Sequence, residues 1–569
     1  MSNNTSRRTG LSYADILVGS LMVAIVYFVI TWATHAHSYR PETGGISLSY
    51  ARLPLYALYS WLRMFAAYVI SLFFTFGYSY LAAYNKRAEK ILIPLLDILQ
   101  SIPVLSFLPV VLLAFIALFP ESRIGVNLAS ILLIFTGQVW NMVFGLYNGL
   151  ITIPSDLKES ARSLNLSAWQ RFRLLELPYS MVGLVWNSMM SWAGGWFFLM
   201  AAEMFSLGNH NYQLQGLGSY LQTAANQGNW AKEIWGLVVL ILVIVAMDQI
   251  VWRPLLAWAD KFKMKFVEGS SSVPRSAVLM LLRRSLLVGW LGQHVFSPLT
   301  EWSDHFFSRT VPSIHKVPAV STLGGIIRAL LLTFSLFAVF MAWQGSVHLM
   351  SQWNGFQILT VLMAVGATLT RVLLSLLISV IWTVPAGVFI GLHPKWAQPL
   401  TPLTQIAASV PATALFPGLV ALLIGLRGGL ETASVLLMVL GTQWYILFNV
   451  IAGASAIPED LREAATMFGL KGWHAWKNLI LPAIYPYLIT GLITASGGAW
   501  NASIVAEYVS FHNHTYTTFG VGSLIAQSSQ KGQFSLLLLA TASLAVIVVL
   551  INRFIWRSLY NRASKRYSF

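Results

Sequence analysis

The chain has no cysteine. Disulfides, thiolate nucleophiles and cysteine-ligated metals are excluded at once. Charge is also scarce. Asp, Glu, Lys and Arg make up 10% of the 569 residues, against roughly 25% in a soluble domain. No Gly-x4-Gly-Lys-Ser/Thr loop occurs, so this chain lacks that cradle for nucleotide phosphates. No HExxH helix, Ser/His/Asp set or paired-carboxylate arrangement stands out either. Covalent chemistry is not expected. His210 and the His512/His514 pair read as loop histidines, because no carboxylate joins them at ligand spacing.

Apolar residues are plentiful, at 56% of the chain with mean hydropathy +0.66. They form runs of about 20 residues, the length of a membrane-crossing helix. The sequence therefore predicts an all-α polytopic membrane protein. Its net charge of +16 raises the question of nucleic acid. The placement of the basic residues answers it. Nine of the 36 Lys and Arg, Arg63 and Arg371 among them, fall within spans or on the outer face, and 36 less nine leaves 27 on the cytoplasmic side. That bias is a topology signal, not a nucleic-acid patch. The first apolar run is too long for a signal-peptide core. It is expected to be a retained helix, with the N-terminus cytoplasmic.

The sequence repeats itself. A shift of 304 takes Trp140 to Trp444, Asp156 to Asp460, Glu159 to Glu463, Pro178 to Pro482, Glu203 to Glu507 and Gly218 to Gly522. Upstream the shift becomes 308, pairing Arg63 with Arg371 and Pro103 with Pro411. Each half reads as six spans. In the first half they lie near 13–33, 56–82, 92–119, 124–150, 179–205 and 234–252. In the second they lie near 321–343, 356–391, 400–426, 432–453, 483–508 and 534–556. Six is even, so the halves are parallel repeats and about 12 transmembrane helices result. The expected boundaries are 1–253 and 321–569 for the repeats. Residues 254–320 would form a polar cytoplasmic or interfacial linker. Both termini would be cytoplasmic.

Two charged stretches interrupt the apolar pattern: Leu157–Pro178 and Leu461–Pro482. Both lie between the fourth and fifth spans of their half. Each opens on Ile-Pro, then a short helix with Asp156 or Asp460 near its positive end. Ser155 and Glu459 supply further acceptors there. Gly469 breaks the second helix. Asn165 stands at the same place in the first, and Asn tolerates the left-handed backbone such a turn needs. Ser167 to Gln170 has capping-box spacing and restarts a helix. Ala161 and Ala465 allow close approach, and Glu159 and Glu463 can pair with a partner's donors. Such a projecting helix suits docking into a groove on another protein.

These residues resemble a known family, the permease subunits of binding-protein-dependent ABC importers. Glu463-Ala464-Ala465, Gly469 and Leu481-Pro482 match its signature. Glu159-Ser160-Ala161, Asn165 and Leu177-Pro178 form a weaker copy. The turns Ser101–Pro103 and Ser409–Pro411 look most like the nitrate/sulfonate/taurine/bicarbonate branch. The resemblance implies a type I importer with its two permease domains fused, in the bacterial inner membrane. Two ATPase subunits would bind the coupling helices and carry ATP and magnesium, and a solute-binding protein would dock outside. This chain would bind no cofactor and would import a small anion by alternating access.

The fifth span of each half would then line the pathway. Asn187, Ser191, Trp196, Glu203, Trp500, Asn501 and Glu507 are its candidate residues. For Glu203 and Glu507 the plainer role is to bind backbone donors at the helix–loop junction. Arg63 and Arg371 would either draw anions to the mouth or snorkel to headgroups. The alternative function is a secondary transporter of two six-helix repeats. A membrane enzyme ranks third.

Overall fold

The computed structural model describes residues 45–107, 123–207, 210–262, 351–511 and 514–566, with isolated positions between. The expected spans 13–33 and 321–343 and most of the linker 254–320 lie outside the described residues, as does His512. Within them, seven helices are long and apolar enough to cross a membrane, or eight if a bent pair is one span.

The first half runs α1 (Leu53–Tyr84), α2 (Lys86–Ser101), a 3-10 turn (Val104–Phe107) and α3 (Arg123–Ile151). Then come α4 (Ser155–Ser163), α5 (Ala168–Arg171), a π-helical turn (Phe172–Glu176) and α6 (Leu177–Glu203). A hairpin of β1 (Met204–Leu207) and β2 (His210–Gln213) leads to α7 (Leu217–Asn226), α8 (Trp230–Met247) and α9 (Arg253–Ala259). The second half repeats the order: α10 (Gly355–Leu392), α11 (Pro394–Ser409), α12 (Ala412–Leu423), α13 (Gly429–Ser455) and α14 (Glu459–Met467). It continues through α15 (Trp473–Ala475), a π-helical turn (Trp476–Ile480), α16 (Leu481–Ala506), β3 (Tyr508–Phe511) and β4 (His514–Thr517). It ends with α17 (Val521–Gln530), α18 (Phe534–Leu550) and α19 (Arg557–Arg566). Both hairpins are antiparallel, pairing Met204 with Gln213 and Tyr508 with Thr517.

Helix α1 turns its small and polar residues inward. On α1 the buried row is Ser60, Arg63, Ala67, Ser71, Thr75 and Ser79. Phe65, Ile70, Phe73 and Leu81 face outward. Lipid tails are as apolar as leucine, so large aliphatic groups gain nothing by moving inside, while small residues let helices approach. Hydroxyls on the inner face bond to carbonyls, as Ser71 does to Ala67 O at 2.8 Å and Ser79 to Val143 O at 3.0 Å. Close approach is literal at Gly149 of α3, where an added Cβ would sit 2.6 Å from the Ser180 side chain of α6.

One expectation is corrected. The spans read as continuous at 92–119 and 400–426 are broken. In the second half α11 and α12 meet at 78° across Val410-Pro411, and α2 stops at the matching Ile102-Pro103. The residue before proline is pushed out of the helical region, which stops the helix there. Near the expected boundary at 253 the chain stays helical. The last helix of the first half continues through a π-helical turn (Asp248–Trp252) into α9, and ends at Ala259. Arg253 bonds back to Asp248 at 2.9 Å and braces this turn.

The break inserts part of each half into the other. Val104 and Leu105 belong to the core of the second half, and Ala414 of α12 is packed in the core of the first. The Val104 N–H donates to Asn501 Oδ1 at 2.7 Å.

At the other end of α6 and α16 sits a buried polar lock, present twice. Glu203 accepts from Arg63 Nη1 (2.7 Å), Ser60 Oγ (2.6 Å) and the Gly218 N–H (2.7 Å). Arg63 also donates to Asn127 Oδ1 and to Gln215 O. In the second half Glu507 accepts from Arg371 Nη1 (2.7 Å), Thr368 Oγ1 (2.7 Å) and the Gly522 N–H (2.8 Å). Arg371 also reaches Glu431 Oε2 and Phe519 O. Both carboxylates are fully buried. The arginines therefore neither snorkel nor face a mouth. Their charge is spent on an internal carboxylate, because an unpaired charge buried there would be far costlier.

Space around the lock is exhausted. A Cβ on Gly216 or Gly520 would lie 2.2 Å from the Glu203 or Glu507 carboxylate. Gly520→Ala is therefore expected to lower the melting temperature of the purified protein, and Arg371→Ala to cost about 3–5 kcal/mol, the loss typical of a broken buried pair. Thermal unfolding in detergent checks both. An unchanged melting temperature for Arg371→Ala would show that the lock bears no load.

Candidate functional site

The charged loops emerge as helical elbows. α4 and α14 begin after Pro154 and Pro458, which hold the N-cap positions. Neither proline offers a side-chain acceptor. Ser155 is consequently inside the helix, donating to Asp156 Oδ1 at 3.2 Å, and is not the cap. Asp156 and Asp460 lie in the first turn, where the helix dipole favours them.

Both elbows close with the same pair of backbone bonds. Leu166 N donates to Ala161 O at 3.2 Å and Asn165 N to Arg162 O at 2.9 Å. Leu470 N donates to Ala465 O at 2.9 Å and Gly469 N to Thr466 O at 3.0 Å. This pattern requires a left-handed residue at its centre, and φ is +50° at Asn165 and +67° at Gly469. Asn165 is the one non-glycine with positive φ among the described residues. Ala161 and Ala465 turn inward and are buried, while Asp156, Glu159, Asp460 and Glu463 are exposed. The expected capping box is present, with Ser167 Oγ accepting from Gln170 N and Gln170 Oε1 from Ser167 N. The second copy has Gly472 there instead, at φ +53° and with no side-chain cap.

The tips are apolar. Leu164 is 72% exposed, Met467 86% and Phe468 83%. Isolated apolar side chains on a surface are ordinary, but two adjacent ones at the apex of a rigid elbow form a knob. The second elbow presents the larger one.

Behind each elbow a π-helical turn joins the loop to the fifth span. In the first half it is clamped to the end of α1. Arg171 Nε bonds the buried Glu176 at 2.9 Å, and its guanidinium lies 5.9 Å from the Tyr84 ring centre. Phe172 packs edge-on against Phe76 and Tyr80. The second half has Ala475 for Arg171 and Ile480 for Glu176. There Ile480 is buried in the apolar core of the second half, which Trp476 also packs against. Sequence reasoning passed over this clamp. Its signal was present: an Arg and a Glu five apart in one copy, both replaced by apolar residues in the other.

A cavity of about 200 Å³ lies between the halves, walled by α3, α6, the end of α8, α11, α13 and α16. Of the candidate pathway residues, Trp196 and Asn501 line it. Asn187, Ser191, Trp500, Glu203 and Glu507 do not. Asn187 donates to Gly183 O at 2.8 Å and packs on Gly145. Ser191 and Trp500 are buried in helix contacts. Both acids belong to the lock. α6 and α16 are apolar and packed on nearly every side, so polarity could not show which face meets the cavity. The lining residues missed by sequence reasoning include Gln100, Asn141, Gln405, Tyr445 and Thr494. Gly194 and Gly497 open directly onto it, with nothing within 4 Å of a Cβ at Gly497.

Long apolar helices, twinned elbows and a cavity between interlocked repeats point to a membrane permease. Residues 74–251 and 383–567, more than half of the chain, match the family described as "Binding-protein-dependent transport system inner membrane component". The chain belongs to this family and carries its domain twice. Relatives include the nitrate import permease protein NrtB of Leptolyngbya laminosa, 28% identical over 188 residues, which are 33% of this chain and 64% of that protein. The taurine transport system permease protein TauC of Escherichia coli (strain K12) is 26% identical over 199 residues, 35% of this chain and 69% of its own length. The bicarbonate transport system permease protein CmpB of Synechococcus elongatus (strain ATCC 33912 / PCC 7942 / FACHB-805) is 29% identical over 189 residues, covering 33% and 65%. The match thus spans about two thirds of each relative. The chain is accordingly a multi-pass inner-membrane transport subunit of the ABC permease type.

Two substitutions test the elbow geometry. Asn165→Gly should leave stability unchanged or slightly higher. Asn165→Val should cost about 1–2 kcal/mol, the penalty for a side chain forced into left-handed backbone. Limited proteolysis at the first elbow reads the difference, and equal rates for the two variants would contradict it. At the clamp, Arg171→Ala should destabilise by leaving Glu176 buried and unpaired. Arg171→Ala with Glu176→Ile, which copies the second half, should recover most of the loss. A double variant no better than the single one would show that the two joints are not equivalent.

Proposed function

We propose that the chain supplies both permease domains of an ATP-driven importer. It takes up a small solute, an anion of the nitrate, sulfonate or bicarbonate kind, by alternating access. The carrying observation is the pair of elbows. Each is rigid, exposes carboxylates and an apolar tip, and joins through a π-helical turn to a helix that lines the central cavity. A motor gripping both tips would move α6 and α16 and so open or close the cavity between them. ATP and magnesium would be bound by two separate ATPase subunits, and a solute-binding protein would dock on the outer face beside the hairpins. Both termini face the cytoplasm in this arrangement, on the side of the elbows. The names of the relatives put small anions first among the solutes.

The two grips are unequal. The second elbow offers Met467 and Phe468, where the first offers Ser163 and Leu164. Reversing the charge on the second elbow should therefore matter more. Glu463→Lys is expected to reduce co-purification of the ATPase and ATP-dependent uptake by about tenfold, the loss of about 1.4 kcal/mol of contact, and Glu159→Lys to do so less. Co-expression with the neighbouring ATPase genes and uptake in vesicles decide the matter. If no ATPase associates, or uptake continues on a proton gradient without ATP hydrolysis, the importer reading fails.

A further inference from the structure

The last spans of the two halves end in different chemistry. In the first half Arg253 is bound to Asp248 at 2.9 Å, and α9 buries Pro254, Ala257 and Ala259. Asp260 follows at once. The shift of 304 carries Arg253 to Arg557, but Asp248 to Asn552 and Asp260 to Ser564. Both acids of the first exit are therefore neutral residues in the second. In the same register Leu256 meets Tyr560, and Trp258 meets Arg562.

The second exit is basic throughout. Arg553, Arg557, Arg562, Lys565 and Arg566 all fall within residues 553–566, and residues 508–569 hold no Asp or Glu. Arg557 and Arg562 are exposed. The helix that carries them is held to the bundle by its other side. Ala563 of α19 is fully buried, α19 packs on α16, and just ahead of it Trp556 Nε1 donates to Ser496 Oγ at 3.3 Å.

The depth of this surface follows from length. About 20 residues of helix cross the apolar core of a bilayer. Counted from Phe534, where α18 begins, that length is used up near Arg553. Arg557 and Tyr560 thus stand at the membrane boundary on the elbow side. Phe554 and Ile555, 66% and 50% exposed, belong to the same span of Phe534–Tyr560. The basic surface is continuous with a face that the span offers to lipid tails. A water-soluble partner does not reach to that depth, whereas a phospholipid occupies both levels. Its acyl chains lie against Phe554 and Ile555, and its headgroup meets the arginines. Tyrosine favours this depth. A cluster of four or more Lys and Arg just past a span attracts anionic lipid, and guanidinium meets phosphate through paired hydrogen bonds.

We propose that the exit of the last span, from Phe554 to Arg562, binds the headgroup phosphate of an anionic phospholipid. The matching exit of the first half does not. There the arginine's anion is built into the chain as Asp248. In the second half it comes from the membrane.

The full chain in its purified assembly is equilibrated in detergent with equal amounts of phosphatidylglycerol and phosphatidylcholine. After washing, the retained lipid is extracted and quantified by mass spectrometry. Phosphatidylglycerol is expected to be enriched. The enrichment should fall as salt in the wash rises from about 0.1 to about 1 M, where the screening length shrinks from about 10 to about 3 Å. Arg557→Gln with Arg562→Gln should lower the ratio of the two lipids about tenfold, as the loss of two surface cations implies. Arg557→Lys with Arg562→Lys keeps the charge and should keep most of the enrichment. Arg52→Gln with Arg427→Gln removes the same charge from exposed positions at the lock end of the bundle, and should leave the ratio unchanged. Equal retention of the two lipids by the unaltered chain overturns the proposal. So does an unchanged ratio in the Arg557/Arg562 glutamine variant, or an equal loss in the Arg52/Arg427 variant. Loss of a co-purifying protein with the lipid ratio unchanged would assign the surface to that protein and overturn it too.

Discussion

The buried pairs Arg63–Glu203 and Arg371–Glu507 set the frame for everything else. Each ties the second span to the end of the fifth and, through Gly218 or Gly522, to the short helix after the hairpin. A helix that ends on a buried carboxylate with three donors cannot slide or rotate freely, because any displacement strands a charge in a medium that cannot solvate it. The far ends of α6 and α16 are thereby pinned. Their near ends join the elbows through π-helical turns, a form frequent at functional sites. The cavity lies along α6 and α16 between the lock and the elbow.

The repeats keep this frame and vary what hangs on it. Asn127 in one lock is Glu431 in the other, and the Arg171–Glu176 clamp has an apolar counterpart at Ala475 and Ile480. Asn501 faces the cavity where the first half has Phe197, and Tyr445 where it has Asn141. The cavity is consequently not two-fold symmetric. Duplication within one chain permits this, since each copy of a residue can change independently, whereas two identical subunits must change together.

Much of this was legible in the sequence. The class, the repeat and the elbows follow from 20-residue apolar runs, a fixed shift of 304 and a Gly or Asn at the turn. These are local or periodic signals. The lock was half legible. Arg63, Arg371, Glu203 and Glu507 could each be seen to recur, but nothing in one dimension says that two recurring charges meet. The cavity lining was the least legible part. In α6 and α16 small, polar and aromatic residues are buried on several faces at once, so the helical period that separates inside from outside in a soluble protein carries little information here. The break at Pro103 and Pro411 was visible as a turn, but its effect, bending a span back into the neighbouring half, depends on distant packing partners such as Asn501, 397 residues from Val104.

That exchange of segments has a consequence for how the protein is made. The core of the first half is completed by Ala414, and the second half's core draws on Val104 and Leu105. When the first half leaves the ribosome and enters the membrane, the residues that fill its inner wall do not yet exist. Its core lacks Ala414 until α12 has been synthesised. Linking the halves in one polypeptide guarantees that the missing piece arrives at the same place and in equal number. Separate subunits would have to find each other in the bilayer by diffusion, each carrying an incomplete core. Fusion here thus acts on assembly as well as on stoichiometry, supplying as an intramolecular event a step that would otherwise depend on concentration.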